Sequence, residues 1–296
     1  MIQSLYLGRV GYDEALRLQA ELVELRHQGR IGNVLLLLEH PPVLTLGRNA
    51  HRSNILASDA LLASRGVTVH EIKRGGDVTY HGPGQLVGYP IFDLRSLSSA
   101  AACRPGFRIG PVDFVRQLEE ILIRLCNVYR VRAGRISGLT GVWCGLSDGP
   151  DSPSEEIIKP SGQTASNREP MKPGRKIGAI GIHVSRGITS HGFAFNVTTN
   201  LSDFELINPC GITDHAVTSL ARESKESLPA LDSIADQTAR LFGQVLGENV
   251  LAVESVDTLL AAVQTGVASH PAEDIPLTIP ADVRRLHHEG EPPIRV

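Results

Sequence analysis

Cys210 is the residue in this chain best placed for nucleophilic chemistry. It lies in the stretch Ile207-Asn208-Pro209-Cys210-Gly211-Ile212. Between a proline and a glycine, a sharp turn exposes the side chain instead of packing it in a helix or strand. Two readings stand side by side for it, a reactive thiol and a small buried hydrophobe. The second suits Cys126, within a helical stretch, and Cys144, beside Trp143. A thiol with a reference pKa of about 8.5 is only a few per cent thiolate at neutral pH, so it needs a neighbour to help it. His81, His183, His191 and Lys176 are the candidates. A Cys-His pair points to a papain-like hydrolase and a set of histidines with a cysteine points to zinc, but the spacing favours neither, and a structural histidine is the commoner case. A lysine about 4 Å from the sulfur would lower the thiol pKa by up to about 3 at an effective dielectric near 20, before desolvation reduces the gain. The plain alternative for Lys176 is a solvated charge at the start of a strand.

A second feature is Arg74-Gly75-Gly76-Asp77-Val78-Thr79-Tyr80-His81-Gly82-Pro83-Gly84-Gln85. Glycines let a backbone approach a ligand closely and offer N–H groups to phosphate, carboxylate or an acyl oxygen. The stretch matches neither G-x-x-x-x-G-K-[ST] nor a G-x-G-x-x-G between strand and helix, so a phosphate cradle is weakly supported. A plain tight turn would need fewer polar groups than Arg74, Thr79, Tyr80, His81 and Gln85 supply.

The elements that must position these residues follow from periodicity. Tyr12 to about Arg30 has Ala15, Leu18, Leu22 and Leu25 at helical spacing. NVLLLLEH from Asn33 is a continuous apolar run of strand length, and VLTLGR, VTVHEI and QLVGYPIFDL are further strands. Pro111 to about Tyr129 is helical, with Val115, Leu118, Leu122 and Leu125 as its stripe, and Gly141-Val142-Trp143 is a short buried strand. Lys176–Val184 and Thr189–Val197 alternate with period two and make a hairpin, with Thr189, His191, Phe193, Phe195 and Val197 expected on one face. Leu228 to about Leu246 is helical, and Ser255 caps a shorter helix. The polar segment 147–174 is expected to be a solvated loop or disordered insertion, and the Pro-rich end from about Ala268 a peripheral tail. Strands with interspersed helices predict an α/β protein of the α+β type, a mixed β-sheet flanked by helices, and fit a doubly wound fold poorly.

Composition excludes several classes. The formal charge of −3 over 296 residues, without runs of one sign, argues against a nucleic-acid groove or a polybasic membrane anchor. The longest apolar stretch, Val34–Leu38, is too short to span a bilayer, and the N-terminal residues lack a signal-peptide core, which leaves the cytoplasm as the expected location. The four cysteines include no C-x-x-C pair, against a disulfide framework or a zinc ribbon.

Several blocks in order carry a resemblance: Leu38-Glu39-His40-Pro41-Pro42-Val43 with Thr45-Leu46-Gly47-Arg48, then RGGDVTYHGPGQLVGYPIFDL, KIGAIGIHVSRGITSHGFAFNV, and INPCGI with Val217-Thr218-Ser219-Leu220. Together they resemble the lipoyl(octanoyl) transferases. The resemblance implies a biotin/lipoate protein ligase-like fold. It also implies transfer of octanoyl from acyl carrier protein to a lysine of lipoyl domains, in 2-oxoacid dehydrogenase complexes and the glycine cleavage H protein, with no ATP, cofactor or metal. It implies Cys210 as nucleophile, Lys176 as the residue that lowers its pKa, and substrate contacts from Arg74, Gly75, Gly76, Asp77, Val78, Thr79, Tyr80 and His81, from Ala179, Ile180 and Gly181, and from Gly192, Phe193 and Ala194. Phe193 or Phe195 is expected as the pocket floor, and Arg48, Lys73 and Arg74 as a basic patch for the acidic carrier. A catalytic domain over 1–222 and a helical extension with a Pro-rich tail over 223–296 are expected. The competing readings are an ATP-dependent lipoate ligase, a non-catalytic binder of lipoyl domains or acyl ligands, and a Cys-dependent hydrolase. Segment 147–174 is longer than the connection such enzymes place before the lysine, and a lid role for it is a hypothesis.

Overall fold

A computed structural model describes residues 1–97, 109–146, 174–208 and 216–264. The expected insertion 147–174 (except Gly174), the tail, Cys103 and Cys210 lie outside the described residues. In chain order the strands are β1 Ile2–Arg9, β2 Asn33–Glu39, β3 Val43–Leu46, β4 Thr68–Glu71, β5 Val78–His81, β6 Gln85–Ile91, β7 Ala133–Ile136, β8 Leu139–Cys144, β9 Arg175–Ser185, β10 Ile188–Asn196 and β11 Val250–Ala252. The helices are α1 Tyr12–His27, α2 Asp59–Ser64, α3 Pro111–Val128, α4 Leu220–Glu223, α5 Leu231–Leu246 and α6 Val256–Gln264.

The main sheet has the order β11-β1-β2-β6-β10-β9-β8-β7, and β4-β3-β5 form a small second sheet. The β1 pairings to β2 and β11 are parallel and the rest of the main sheet is antiparallel, so the sheet is mixed. β2 explains the layering. Leu35 and Leu37 enter one core with Phe114, Leu118 and Leu122 of α3 and Ile234 and Phe242 of α5. Val34, Leu36 and Leu38 enter another with Ala15 and Leu22 of α1 and Leu259 of α6. A strand covered on both faces is apolar throughout, which is why NVLLLLE shows no alternation. The small sheet closes a third core, with Leu62 of α2 and Leu206.

Local signals set the helix ends. Asp113 accepts from Gly110 N at 3.2 Å, with Pro111 opening α3. Ser255 Oγ accepts from Thr258 N at 3.0 Å at the start of α6, as its position suggested. α5 stops at Gly247, in the left-handed region with φ 67°.

Two departures from the expected elements matter for function. Part of the glycine-rich stretch is a strand: Val78–His81 is β5, pairing antiparallel with β3. The hairpin of β9 and β10 does not alternate strictly. Ile177 packs among the residues of the helix-side core, and a Cβ on Gly178 would meet Leu122 and Phe195 of that core, so adjacent residues of β9 face the same way. His191 has φ 55°, and its N–H turns to Gln19 Oε1 of α1 at 2.8 Å. The expected common face therefore breaks at His191, while Phe193, Phe195 and Val197 do share the helix-side core.

Candidate active site

A cavity of about 360 Å³ lies over β6, β10 and β9 on the side of the sheet that carries α1, within the range typical of small-molecule sites. Its floor is bare because two successive cross-strand pairs, Ala179 with Ala194 and Gly181 with Gly192, carry almost no side chain. Val87 and Tyr89 of β6 continue the wall. The glycine-rich loop forms another wall by lying directly on the sheet: Gly75 N donates to Ile182 O at 3.1 Å. A Cβ on Gly181 would sit 2.7 Å from Gly75 O. Bare backbone on both sides lets loop and sheet touch.

Arg74, Gly76, Asp77, Val78, Thr79 and His81 line this cavity. So do Ala179, Ile180 and Gly181 of β9, Gly192, Phe193 and Ala194 of β10, and Lys176. Gly75 and Tyr80 are not among the lining residues. Gly75 faces the sheet, and Tyr80 turns away, its hydroxyl donating to Asp203 Oδ2 at 2.9 Å. Phe193 is among the lining residues, but its ring stacks on Phe242 in the helix-side core, where Phe195 is fully buried, so neither ring is placed as the expected floor. Arg74 is no part of an exposed patch: its Nη2 donates to Thr45 O at 2.8 Å and Oγ1 at 2.9 Å, and it is 9% exposed. Arg48 and Lys73 are exposed, and their charge helps depress the His183 pKa, after burial.

The histidines are held neutral. His81 Nδ1 lies 2.8 Å from Gln85 Oε1. Gln85 Nε2 donates to Tyr80 O at 3.1 Å and Asn196 Oδ1 at 2.9 Å, so Gln85 Oε1 accepts and His81 Nδ1 carries the proton. Burial, then His40 and Arg74, lowers the His81 pKa to about 3. Burial likewise lowers His191 to about 4, with Arg74 and His183 adding to it. Behind them His40 donates Nδ1–H to Val10 O and accepts from Tyr89 Oη, both at 2.7 Å. None of these rings is an imidazolium at neutral pH, so none supplies a cation for a thiolate.

Lys176 differs. Its N–H donates to Ala216 O at 2.8 Å and its carbonyl accepts from Thr218 N at 2.9 Å, so residues 216–218 run beside β9. Nζ lies 4.5 Å from the ring centroid of Trp143, the residue opposite it on β8. At the other end of segment 209–215, Asn208 N donates to Asn54 O at 2.7 Å. Asn54 Nδ2 in turn donates to Asp77 Oδ2 at 2.8 Å, on the cavity wall. Cys126 and Cys144 are buried, and the hydrogen bond to Cys144 together with burial pushes the Cys126 thiol well up, away from thiolate chemistry.

Several contributors were not singled out from sequence. Trp143 was expected only as part of a buried strand. Tyr12 and Thr140 also line the cavity. Glu119 is fully buried; it accepts from Gly141 N at 3.0 Å and pairs with Arg116 at 2.8 Å and Arg135 at 3.0 Å. A carboxylate between Leu118 and Ile121 on the buried side of α3 was the available signal. Among the described residues no group of three or more His, Cys, Asp or Glu gathers as a metal site, and no helix is long and apolar enough to cross a membrane.

The mixed sheet, its flanking helices and a cavity on the sheet face define the biotin/lipoate protein ligase-like fold. The crystal structure of lipoate-protein ligase A bound with ATP superposes with a TM-score of 0.58 at 12% identity, over 90% of this chain and 94% of that one. The bipartite lipoate protein ligase of Thermoplasma acidophilum gives 0.57 at 13%, over 89% and 90%. Among sequence relatives, the octanoyltransferase of Acidobacterium capsulatum is 52% identical over 267 residues, 90% of this chain and 98% of that protein. The octanoyltransferase of Koribacter versatilis is 46% identical over 289 residues, 98% of each. The family model of the lipoyl protein ligase A/B catalytic domain matches residues 11–242, and the chain belongs to that family.

Proposed function

We propose that this chain is an octanoyltransferase that moves the acyl group from acyl carrier protein, through a thioester on Cys210, to a lysine of lipoyl domains. The observation that carries the reading is how both ends of the Cys210 segment are tied. Residues 216–218 are hydrogen-bonded to the backbone of Lys176, and Asn208 is tethered through Asn54 to Asp77 on the cavity wall.

In the resting enzyme the Cys210 proton resides on Lys176, giving a thiolate beside an ammonium. The thiolate attacks the carbonyl of the carrier's thioester, the carrier thiolate leaves, and it takes the proton from Lys176. Acyl-Cys210 and a neutral Lys176 remain. An amine of the lipoyl domain attacks the acyl carbonyl, Lys176 takes the amine's proton as general base, and the Cys210 thiolate is released as the amide forms. One thioester replaces another at nearly equal energy, and the amide makes the sum downhill, so no ATP is spent. Exposed Arg48 and Lys73 suit an acidic carrier.

The test is mass spectrometry of the protein after exposure to octanoyl carrier protein. One octanoyl adduct on Cys210, discharged by a lipoyl domain and absent in Cys210→Ser, is expected. Transfer that persists in Cys210→Ser, or that needs ATP and free octanoate, overturns the reading.

A further inference from the structure

Neither phenylalanine expected as the floor closes the cavity, yet its lining stops at one level on all three strands, at Tyr89 of β6, His191 of β10 and Gly181 of β9. His191 reaches that level by leaving the strand pattern. The β6–β10 pairs end at Gly88 with Phe193, and continuing the register would set His191 against Pro90, which lacks the N–H that would complete the pair. His191 instead takes φ 55° and turns its own N–H to Gln19 Oε1 of α1 at 2.8 Å. Gln19 is 3% exposed, and its Nε2 has no hydrogen-bond partner among the described residues. A buried donor without a partner is destabilising, so what this glutamine contributes is its oxygen, given to one backbone group.

We infer that His191, held in its left-handed conformation by Gln19, is the end wall of the acyl slot and limits the chain length the slot admits; the inference rests on the acyl-transfer reading above. In strict alternation His191 would join Phe193, Phe195 and Val197 in the helix-side core. The left-handed turn takes it out of that set, and it lines the cavity with 9% of its surface exposed. Along β10 the cavity side carries Ala194 and Gly192 before this imidazole, so a chain lying on the bare floor meets no bulky group of that strand until it reaches the ring. Arg74 lies over the same end, since a Cβ on Gly181 would meet its Cδ at 3.4 Å. Burial, and then the Arg74 charge, lowers the His191 pKa to about 4. The ring is therefore uncharged at neutral pH and can face the methyl end of an acyl chain. A kink made only to pass Pro90 would be served by glycine, which the next position already uses. An imidazole in the left-handed region places a side chain as well as making a bend.

The test is calorimetric titration of the full chain with free saturated fatty acids of six to twelve carbons, with a thermal melt of each variant to show that it folds. Wild-type affinity is expected to rise about fourfold per carbon as far as octanoate and to level off beyond it. His191→Gly removes the ring and keeps a backbone that suits φ 55°. Its break is expected about two carbons further out, so that decanoate binds roughly fifteenfold better than octanoate, where the wild type binds the two about equally. Gln19→Met, which releases the His191 N–H, is expected to move the break part of the way, and an unmoved break there refutes the part given to Gln19. A wild-type affinity that climbs through dodecanoate, or a folded His191→Gly whose break is unmoved, overturns the inference. Should His191→Gly fail to fold, His191→Asn, shorter and also tolerated in the left-handed region, carries the test with the same expectation and the same refutation. A wild type that binds none of the acids instead refutes the cavity as an acyl slot, and the inference falls with it.

Discussion

The paired alanines under the cavity make its depth adjustable. Ala179 and Ala194 face each other on β9 and β10, and both line the cavity. Ala194 is buried in the α1-side core, whereas Ala179 is half-buried, so a larger side chain at 179 has the cavity to grow into. Ala179→Leu adds three carbons and so displaces about three methylenes of a bound acyl chain. At ~0.8 kcal/mol for each methylene left unburied, an octanoyl donor loses about 2.4 kcal/mol, or about 60-fold in kcat/KM. A five-carbon donor, which leaves that space unused, is expected to change only a few-fold. The assay is kcat/KM for thioester donors of graded length, alongside a thermal melt to show that the variant folds. An unchanged length profile in a folded Ala179→Leu would put the acyl chain elsewhere and refute the assignment of this cavity.

Three further outcomes follow from the geometry. His81, His40 and His191 have pKa values lowered to about 3, 4 and 4, below the ordinary 6.5, so the unfolded chain binds more protons than the folded one in between. Their contribution to stability is complete above about pH 6.5 and is lost as pH falls towards 4, by up to about 1.4 kcal/mol per pH unit for each; urea midpoints unchanged between pH 7 and pH 5 would contradict it. Glu119→Ala strands Gly141 N and removes the partner of Arg116 and Arg135, with an expected loss of about 2–4 kcal/mol in denaturant unfolding, and a loss under 1 kcal/mol would show that the carboxylate does not hold β8. Arg48→Glu with Lys73→Glu is expected to raise KM for an acidic carrier several-fold with kcat nearly unchanged, and to flatten the dependence of KM on salt; an unaltered KM places the docking face elsewhere.

Strong local signals made much of this architecture legible. The helical stripes of α1, α3 and α5, the buried run of β2 and the β9–β10 hairpin follow from periodicity alone, and Ser255 does cap α6. β1, β7 and β11 were not foreseen. β7 and β11 are short and half-exposed, and the eight residues of β1 mix buried and half-buried positions without strict alternation, so each takes its conformation from a neighbouring strand. The cavity was legible only as blocks of glycine and alanine whose partners lie far along the chain: Gly75 touches Gly181, and Ala179 faces Ala194. What β5 does with its side chains was not legible either, since alternation sends Val78 and Tyr80 to the small sheet's core and Thr79 and His81 to the cavity side only once the strand is recognised. Trp143 looked like ordinary core because nothing local to a strand says which cation will lie over it.

The site also depends on a break in alternation that no regular pattern contains. In a strict β9, Lys176 would share a face with Gly178, Ile180 and Ile182, and its amine would point towards α3. Instead Val142 pairs with Gly178 while Trp143 pairs with Lys176, so Ile177 is the extra residue of a bulge. Ile177 and Gly178 both turn to the helix-side core, and the parity of the strand changes across them. Lys176 and Ala179 consequently line the same cavity although they are separated by an odd number of positions. The bulge lets one strand do two tasks with opposite side-chain phases. Below it, β9 presents a lysine to residues 216–218 and to the indole; above it, the strand presents bare backbone to the cavity. A cation and an apolar slot are thereby placed within a few residues of each other, as an enzyme that attacks the carbonyl end of a fatty chain requires.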